Sequence, residues 1–221
     1  MTHRFIGVKK QKEHIAAWDK EYKSKGAVWR GCPYALPELP EGAKVLELGC
    51  GNGKNLVEMA RRGWDVIGID ASPEAVRLSK EALAQMDISA EVQVADAAAL
   101  PFGDNKFDAV FAFHIFDHAL EKERRAMAVE ALRVLKIGGT LYFRGFSTGD
   151  MRFGAGGKEM EPHTLRRESG ILYHYFEAPE MEALFCGAGF AMEEIKNESW
   201  YVRIGNGKAK REEIVGIFVK S

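Results

Sequence analysis

An α/β fold with a Rossmann-like, doubly wound and mostly parallel sheet is expected from three observations on this 221-residue chain. Apolar runs of strand length alternate with stretches of helical period from Val45 to Phe146. The first of these runs ends in the turn Gly49-Cys50-Gly51-Asn52-Gly53, and open α/β sheets bind ligands at such turns, at the carboxyl ends of strands. Near the end of the chain, Phe190–Ile204 and Ile214–Val219 read as two strands around Gly205-Asn206-Gly207, a hairpin signal that predicts antiparallel pairing.

Residues 1–30 carry eight Lys or Arg against three Asp or Glu. Within them Gln11 to Tyr22 fits a helix with Ile15, Trp18 and Tyr22 on one side, and a proline-rich linker through Pro37 and Pro40 follows. Residues 1–43 are therefore expected to be a helical flap and linker ahead of a domain spanning 44–221. In that domain Val45–Leu48 is the first strand and Asn55–Arg62 a helix with Leu56, Met59 and Ala60 on one face. Trp64–Asp70 is the second strand, and Ser72-Pro73 supplies cap and first turn for a helix to Met86. Ala90–Ala95 and Lys106–Phe113 are the third and fourth strands, Leu120–Leu135 a long helix whose charged first turns form a solvated face. Gly138-Gly139 is expected to stop that helix, with Thr140–Phe146 as the fifth strand. From Ser147 to Phe176 no period is visible, and a segment of that length inside a domain is usually functional. Glu177–Gly187 is the last helix.

The glycine spacing selects among ligands. A dinucleotide turn needs Gly-x-Gly-x-x-Gly, and counting from Gly49 the last position is Lys54; a Gly-x-x-x-x-Gly-Lys-Ser/Thr phosphate loop fails too, since Asn55 follows Lys54. What remains is acid-x-Gly-x-Gly-x-Gly, with Glu47 as the acid. An anionic side chain beside the loop suits a cationic ligand and disfavours phosphate. S-adenosylmethionine carries a sulfonium and an ammonium and no phosphate. Asp70, about twenty residues past the glycines, is placed to accept hydrogen bonds from ribose hydroxyls, and with Ser72 already capping the helix it is expected to be left over for a ligand. Asp96, at the tip of the third strand, can accept from an exocyclic amine such as that of adenine.

Composition excludes several classes. Hydrophobic residues make up 46% and charged residues 29% of the chain, with a net charge of -1, so there is no whole-chain basic footprint for nucleic acid. No apolar run reaches membrane-spanning length and the first residues lack a signal-peptide core, so a cytoplasmic protein with no membrane partner is expected. Cys32, Cys50 and Cys186 are odd in number and form no Cys-x-x-Cys pair, which argues against disulfides or a metal site.

Four segments together resemble the class I S-adenosylmethionine-dependent methyltransferases, similar to the tellurite-resistance and small-substrate types. They are Glu47-Leu-Gly-Cys-Gly-Asn-Gly53, Val66-Ile-Gly-Ile-Asp70, Val94-Ala-Asp96-Ala-Ala-Ala-Leu-Pro-Phe102 and Phe107-Asp-Ala-Val-Phe-Ala-Phe-His114. Leu132-Arg-Val-Leu-Lys-Ile-Gly-Gly139 is also similar to the turn before the fifth strand of such enzymes. The resemblance implies a seven-stranded sheet ending in an antiparallel hairpin. It implies that Glu47, Gly49, Cys50, Gly51 and Gly53 hold the methionyl part, Asp70 and Ala71 the ribose, and Asp96 with the Ala97 amide the adenine. Phe113 and His114 complete the expected cofactor contacts. Glu47 stands where many members have Asp.

For the acceptor, two subfamilies compete. Asn52–Asn55 and Tyr173-His-Tyr-Phe176 look like the small-substrate enzymes; Glu123-Arg-Arg125 with Tyr173–Phe176 also looks like the tRNA wobble-uridine methyltransferases. The insertion 147–176 carries equal numbers of basic and acidic residues, which favours a small molecule over nucleic acid. A cofactor-binding module without catalysis and a nicotinamide dehydrogenase are the remaining rivals. Methyl transfer needs alignment more than covalent chemistry, and a general base only where the acceptor is protonated. Asp117, His114 and His118, at the tip of the fourth strand, are the candidates for that role. Arg144, His163, Arg166, Tyr173 and His174 are the candidates for acceptor contacts, with Arg167 and Tyr175 beside them in the same insertion.

Overall fold

Strand β1 (Lys44–Leu48) forms because Val45, Leu46 and Leu48 are all fully buried, an apolar run covered on both faces as parallel strands require. The structure, a computed structural model, describes residues 15–28, 31 and 33–221. Its elements after β1 are α2 (Lys54–Arg61), β2 (Asp65–Asp70), α3 (Pro73–Gln85), β3 (Glu91–Val94), β4 (Phe107–Phe113), α4 (Glu121–Val134) and β5 (Leu135–Phe146). There follow β6 (Lys158–Glu161), β7 (Thr164–Arg166), β8 (Leu172–His174), α5 (Ala178–Ala188), β9 (Phe190–Ile204) and β10 (Gly207–Lys220). A helix over 15–25, α1, precedes them; the expected residues 11–14 of that helix, and 29, 30 and 32 in the linker, lie outside the described residues. Seven strands form one sheet in the order β3-β2-β1-β4-β5-β10-β9, and β6-β7-β8 form a second, small sheet. The β1–β2, β2–β3 and β4–β5 pairs are parallel; β5–β10 and β10–β9 are antiparallel. This is the predicted doubly wound sheet with its antiparallel end.

The chain divides into two compact units, one of residues up to Ala97 with Glu168–Ile171, the other Ala98–Arg167 with Leu172–Ser221. In the first, α3 starts where Ser72 Oγ accepts from Ala75 N at 3.2 Å, with Pro73 in its first turn. Asp19 of α1 reaches the same helix end: its Oδ1 accepts from Ser72 Oγ at 2.9 Å and Glu74 N at 3.0 Å. A carboxylate at a helix N-terminus also meets the positive end of the helix dipole. Tyr22 of α1 is buried and lies 5.6 Å from Trp18, ring to ring.

The second unit has an aromatic core. Phe116, Phe143, Phe185 and Phe218 are almost wholly buried, with ring centroids 5.3 Å apart for Phe116–Phe185 and Phe143–Phe185 and 4.6 Å for Phe185–Phe218. Here three expectations are corrected. Helix α4 ends at Val134 because Leu135 already has extended angles and begins β5; Gly138-Gly139 is inside that strand, where β4–β5 pairing jumps from Phe107↔Leu135 to Ala109↔Thr140. Gly138 takes φ 75° at this irregularity, which is why glycine is there. The insertion 147–176 is an antiparallel meander of β6, β7 and β8, too short and polar to show a period. And β10 begins at Gly207, seven residues before the apolar run that marked it, because its first half pairs with β9 without burying a face.

Arg124 is the fourth correction. It was read as part of a solvated face, yet it is buried; it donates to Ala119 O at 2.7 Å, pairs with Glu161 at 3.0 Å and Glu180 at 3.4 Å, and lies 5.8 Å over Phe176. Glu161 of β6 also accepts from Glu121 N at 2.6 Å, so the meander caps α4. Removing one member of a buried pair leaves an uncompensated charge. Arg124→Ala is expected to lower the unfolding free energy by roughly 2–4 kcal/mol in urea titration, whereas the neighbouring, exposed Arg125→Ala changes it by less than about 1 kcal/mol.

Candidate cofactor and acceptor sites

In the first unit the glycine loop is shaped by its own backbone. Gly49, Gly51 and Gly53 have φ of 70°, 56° and 82°, left-handed angles that penalise any side chain. Cys50 N donates to Ile69 O and Gly53 N to Cys50 O, both at 2.9 Å, which closes the turn. A Cβ on Gly53 would lie 3.0 Å from the Cα of Ser79, so close helix packing also demands glycine there.

Asp70 ends β2, but it is not left over. Its Oδ2 accepts from Gly51 N at 3.0 Å and its Oδ1 from Ser72 N at 2.8 Å, so it pins the glycine loop to the start of α3. Each carboxylate oxygen has a second lone pair, which keeps the carboxylate able to accept from ligand hydroxyls. Burial pushes its pKa up to about 6 against the opposing amides of Ser72, Gly51 and Ala71. Ala95 N donates to Asp70 O at 3.0 Å, joining the tip of β2 to the segment that carries half-buried Asp96 and buried Ala97.

Glu47 is buried beside this loop. Asn55 hydrogen-bonds its carboxyl, but Oε2 is buried with no hydrogen-bond partner among the described residues. Burial raises its pKa to about 8; the Asn55 hydrogen bond opposes this, the negative Asp70 adds to it and Lys54 opposes it. Cys50 is also buried, and burial with the two carboxylates holds its thiol well above the ordinary range, so it is a packing residue and not a nucleophile. A buried acceptor oxygen without a donor is costly. An ammonium group would satisfy it, so the residues present fit S-adenosylmethionine.

In the second unit His114 has φ 59°, a left-handed angle rare for a residue with a side chain. Its Nδ1 lies 2.7 Å from Asp117 Oδ2 and its Nε2 3.2 Å from Glu213 Oε1. Burial alone would lower its pKa, but hydrogen bonds to Asp117 and Glu213 outweigh that and raise it. The raised pKa favours an imidazolium with each nitrogen donating to an acidic side chain, although burial pushes the Asp117 carboxyl up as well; a ring engaged at both nitrogens is a poor candidate base. Asp117 is fully buried; its Oδ1 accepts from Phe146 N at 3.1 Å. It does not cap α4, whose Leu120 N donates to Glu123 instead. A Cβ on Gly145 would lie 2.5 Å from Asp117 Oδ1, so glycine makes room for this carboxylate. Glu213 is drawn down to about 2: burial works against it, and His114 and Arg144 overcome burial. Arg144 bridges Glu213 and Glu198, both at 2.8 Å.

His118 has a different environment. Its Nδ1 is 2.6 Å from Leu172 O, and a carbonyl only accepts, so Nδ1 carries a proton and in the neutral ring the lone pair is on Nε2. The ring is 5.1 Å from Tyr173, edge to face, and Tyr173 is stacked near-parallel with Phe146 at 6.1 Å. The Arg152 guanidinium sits 4.2 Å over Phe146. Arg152 Nη2 and Arg166 Nε are buried without hydrogen-bond partners. His163, at φ 59°, lies edge-on to Phe153 at 5.5 Å. Phe113, at the end of β4, is edge-on to Phe111 at 5.6 Å.

His174 does not fit an acceptor contact. It is fully buried, with Nδ1 2.8 Å from Thr164 Oγ1 and Nε2 3.0 Å from Glu180, so it fastens β8 to β7 and α5. Arg167 and Tyr175 are likewise spent on Arg152 O, at 2.9 and 3.1 Å. Sequence reasoning missed Glu213, Glu198 and Phe146, and marked Arg152 only as one of the basic residues of the insertion 147–176. Glu212-Glu213 directly before an apolar run was the signal for a buried carboxylate; nothing local marked the others. Among the described residues no three His, Cys, Asp or Glu are grouped to hold a metal ion, and no helix is long and apolar enough to cross a membrane.

Residues 45–139 match the family model described as "Methyltransferase domain". That segment is thus similar to a methyltransferase domain, in line with the resemblance of the glycine loop, Asp70 and Asp96 segments to the class I S-adenosylmethionine-dependent methyltransferases. The chain is 38% identical over 127 residues to a 2-methyl-6-phytyl-1,4-hydroquinone methyltransferase of Synechocystis, covering 57% of this chain and 38% of that protein. It is 32% identical over 106 residues to a ubiquinone biosynthesis O-methyltransferase of Brucella ovis, covering 48% of this chain and 42% of that one. The chain thus spans less than half the length of these relatives. Among solved structures, a protein described as a SAM-dependent methyltransferase from Methanosarcina mazei superposes with a TM-score of 0.70 at 28% identity, covering 82% of this chain and 94% of that one. The methyltransferases this chain resembles use S-adenosylmethionine, which the Glu47 and glycine-loop geometry fits.

Glu47 supplies a test of the cofactor fit. Its folded pKa of about 8 lies above the ordinary value of 4.5, so protonation stabilises the ligand-free fold below pH 4.5 and this contribution is lost as pH rises toward 8. Glu47→Gln, neutral at every pH, is expected to raise the Tm of the ligand-free protein at pH 8, with a smaller gain at pH 5. In calorimetry the same change should weaken S-adenosylhomocysteine binding about tenfold, through loss of a charge-assisted hydrogen bond.

Proposed function

We propose that this protein transfers the methyl group of S-adenosylmethionine to the hydroxyl oxygen of a small aromatic acceptor. The observation that carries this reading is the aromatic cluster of His118, Phe146 and Tyr173, with Arg152 over it. Stacked rings suit a flat acceptor. The buried N–H groups of Arg152 and Arg166 suit a partner oxygen. Two relatives named for hydroquinone and ubiquinone chemistry support a small aromatic acceptor, and the second, named an O-methyltransferase, supports oxygen as the atom methylated.

A phenolic hydroxyl is protonated at neutral pH and needs a base for transfer. His118 is assigned that role, since its neutral ring has the lone pair on Nε2 while both nitrogens of His114 are engaged by acidic side chains. S-adenosylmethionine, held by the glycine loop, Glu47 and Asp70, would supply an electrophilic methyl group to the acceptor oxygen and leave with the carbon–sulfur electron pair, and His118 would take the hydroxyl proton. Asp117 and Glu213 position the end of β4 and touch no reacting atom in this scheme. The flap of residues 1–43, the domain of 44–221, and acceptor contacts by Arg166, Tyr173, His163 and Arg144 belong to the same proposal.

Labelled cofactor, offered with a panel of hydroquinones, catechols, thiols and bulk tRNA, is expected to label the phenolic acceptors, with little dependence on ionic strength. Label found only in tRNA, falling steeply with salt through counterion release, would establish the wobble-uridine reading instead. His118→Ala should lower kcat/KM by about 10²–10⁴-fold at pH 7 without changing cofactor affinity. The loss should shrink for an acceptor of low pKa that is already ionised.

A further inference from the structure

The tip of the β9–β10 hairpin departs from the overall charge balance of the chain. Over the whole sequence 31 basic residues balance 32 acidic ones. From Ser199 to Arg211 there are four basic residues, Arg203, Lys208, Lys210 and Arg211, and no acidic one. The same stretch holds three large exposed hydrophobic residues, Trp200 (39%), Tyr201 (68%) and Ile204 (49%). It is also the part of β10 that does not pair with β5, whose pairing starts at Glu213↔Phe146. Beyond that register the two strands run on as a ribbon to the turn at Gly205-Asn206. At about 3.3 Å per residue, the six residues from Ser199 to Ile204 extend about 20 Å.

Register assigns the side chains to faces. Directly opposed residues share a face, so Tyr201 with Lys210 and Arg203 with Lys208 lie on one side, and Trp200 with Arg211 and Val202 with Ala209 on the other. One face is thus cationic with a tyrosine. The other is an apolar strip of Trp200, Val202, Ile204 and Ala209, whose one charge, Arg211, is held by Asp150 at 2.7 Å and covers Trp200 at 5.5 Å.

We propose that this hairpin tip docks, tip first, on an anionic lipid surface. Headgroup phosphates pair with Arg203 and Lys208, the Lys210 ammonium being already paired with Glu212, while Ile204, Val202 and Trp200 reach the acyl boundary. An interface of this kind serves both faces at once, because it presents charge and hydrocarbon within a few ångströms of depth, and Trp and Tyr concentrate there. A single-stranded nucleic acid would use the cations and Tyr201 but leave the Trp200-Val202-Ile204 strip in water. The expectation of no membrane partner came from the lack of a spanning segment; attachment to a surface needs none. The proposal does not depend on which acceptor is methylated.

Co-sedimentation of the full chain with vesicles tests it. Binding is expected to phosphatidylglycerol-containing vesicles and several-fold less to pure phosphatidylcholine. At about 1 kcal/mol per basic residue near the surface, Arg203→Ala with Lys208→Ala should weaken binding about thirtyfold. Ile204→Asp should weaken it as well, and neither variant should alter S-adenosylhomocysteine affinity, which serves as the control for folding. Equal binding to both vesicle types, no binding to either, or an Ile204→Asp variant that binds as the unchanged chain does would overturn the proposal. So would tip-dependent binding to a single-stranded RNA oligonucleotide in preference to vesicles.

Discussion

A buried histidine between two acidic side chains fixes the carboxyl-terminal half of this protein. His114 at the end of β4 holds Asp117 from the following turn on one nitrogen and Glu213 from β10 on the other. Through Asp117 it reaches the amide of Phe146 at the end of β5; through Glu213 it reaches Arg144 and, beyond that, Glu198 of β9. Four strands are thereby linked at one level by a network buried at His114, Asp117 and Glu213 and open to solvent at Glu198. The arrangement holds only as a set. Desolvating any one of these groups alone would cost several kcal/mol, and each is tolerable because its neighbours carry the opposite charge. That interdependence accounts for the left-handed backbone at His114: the ring meets both carboxylates only from that angle, and the surrounding pairs over-determine it.

The amino-terminal half is organised differently, around a carboxylate pair of the same sign. Asp70 is held by backbone amides and so ties loop to loop. Glu47 lacks that support at Oε2 and carries the strongest upward pKa displacement of the two. A site built this way stores an unmet need for positive charge until a cationic ligand arrives. The glycine loop meets the complementary requirement of space, since its left-handed angles leave backbone where side chains would stand.

Between its strands the second unit uses charge as internal scaffolding. Arg124 joins α4 to the meander through Glu161 and to α5 through Glu180, and His174 joins the meander to α5 through the same Glu180. The meander that carries Tyr173 and Arg166 is thus held by ionic and hydrogen-bonded contacts on two sides, although it has almost no apolar face of its own. Its rigidity is a condition for the His118–Tyr173–Phe146 cluster, because His118 is oriented by a carbonyl of that same meander.

What the sequence determined by itself is what is encoded locally. The strand–glycine loop–helix order, the caps at Ser72-Pro73, the buried apolar run of β4 and the two-residue hairpin turn each depend on residues within a few positions of one another. The acid-x-Gly-x-Gly-x-Gly pattern could therefore be read as the site of a cationic cofactor before any contact was known. Only the tertiary structure decided which polar residues are buried and with whom. Arg124 stands in a run of charges that looks solvated, His174 between two tyrosines that looks like a binding patch, and Glu213 nearly a hundred residues from His114. Their roles depend on partners brought together by strand order, and a titratable group takes its protonation state from those partners and not from its neighbours in the chain. The same holds for His114 and His118, four residues apart. Pairing with two acidic side chains raises the pKa of one, and a carbonyl on Nδ1 of the other fixes which nitrogen holds the lone pair of the neutral ring.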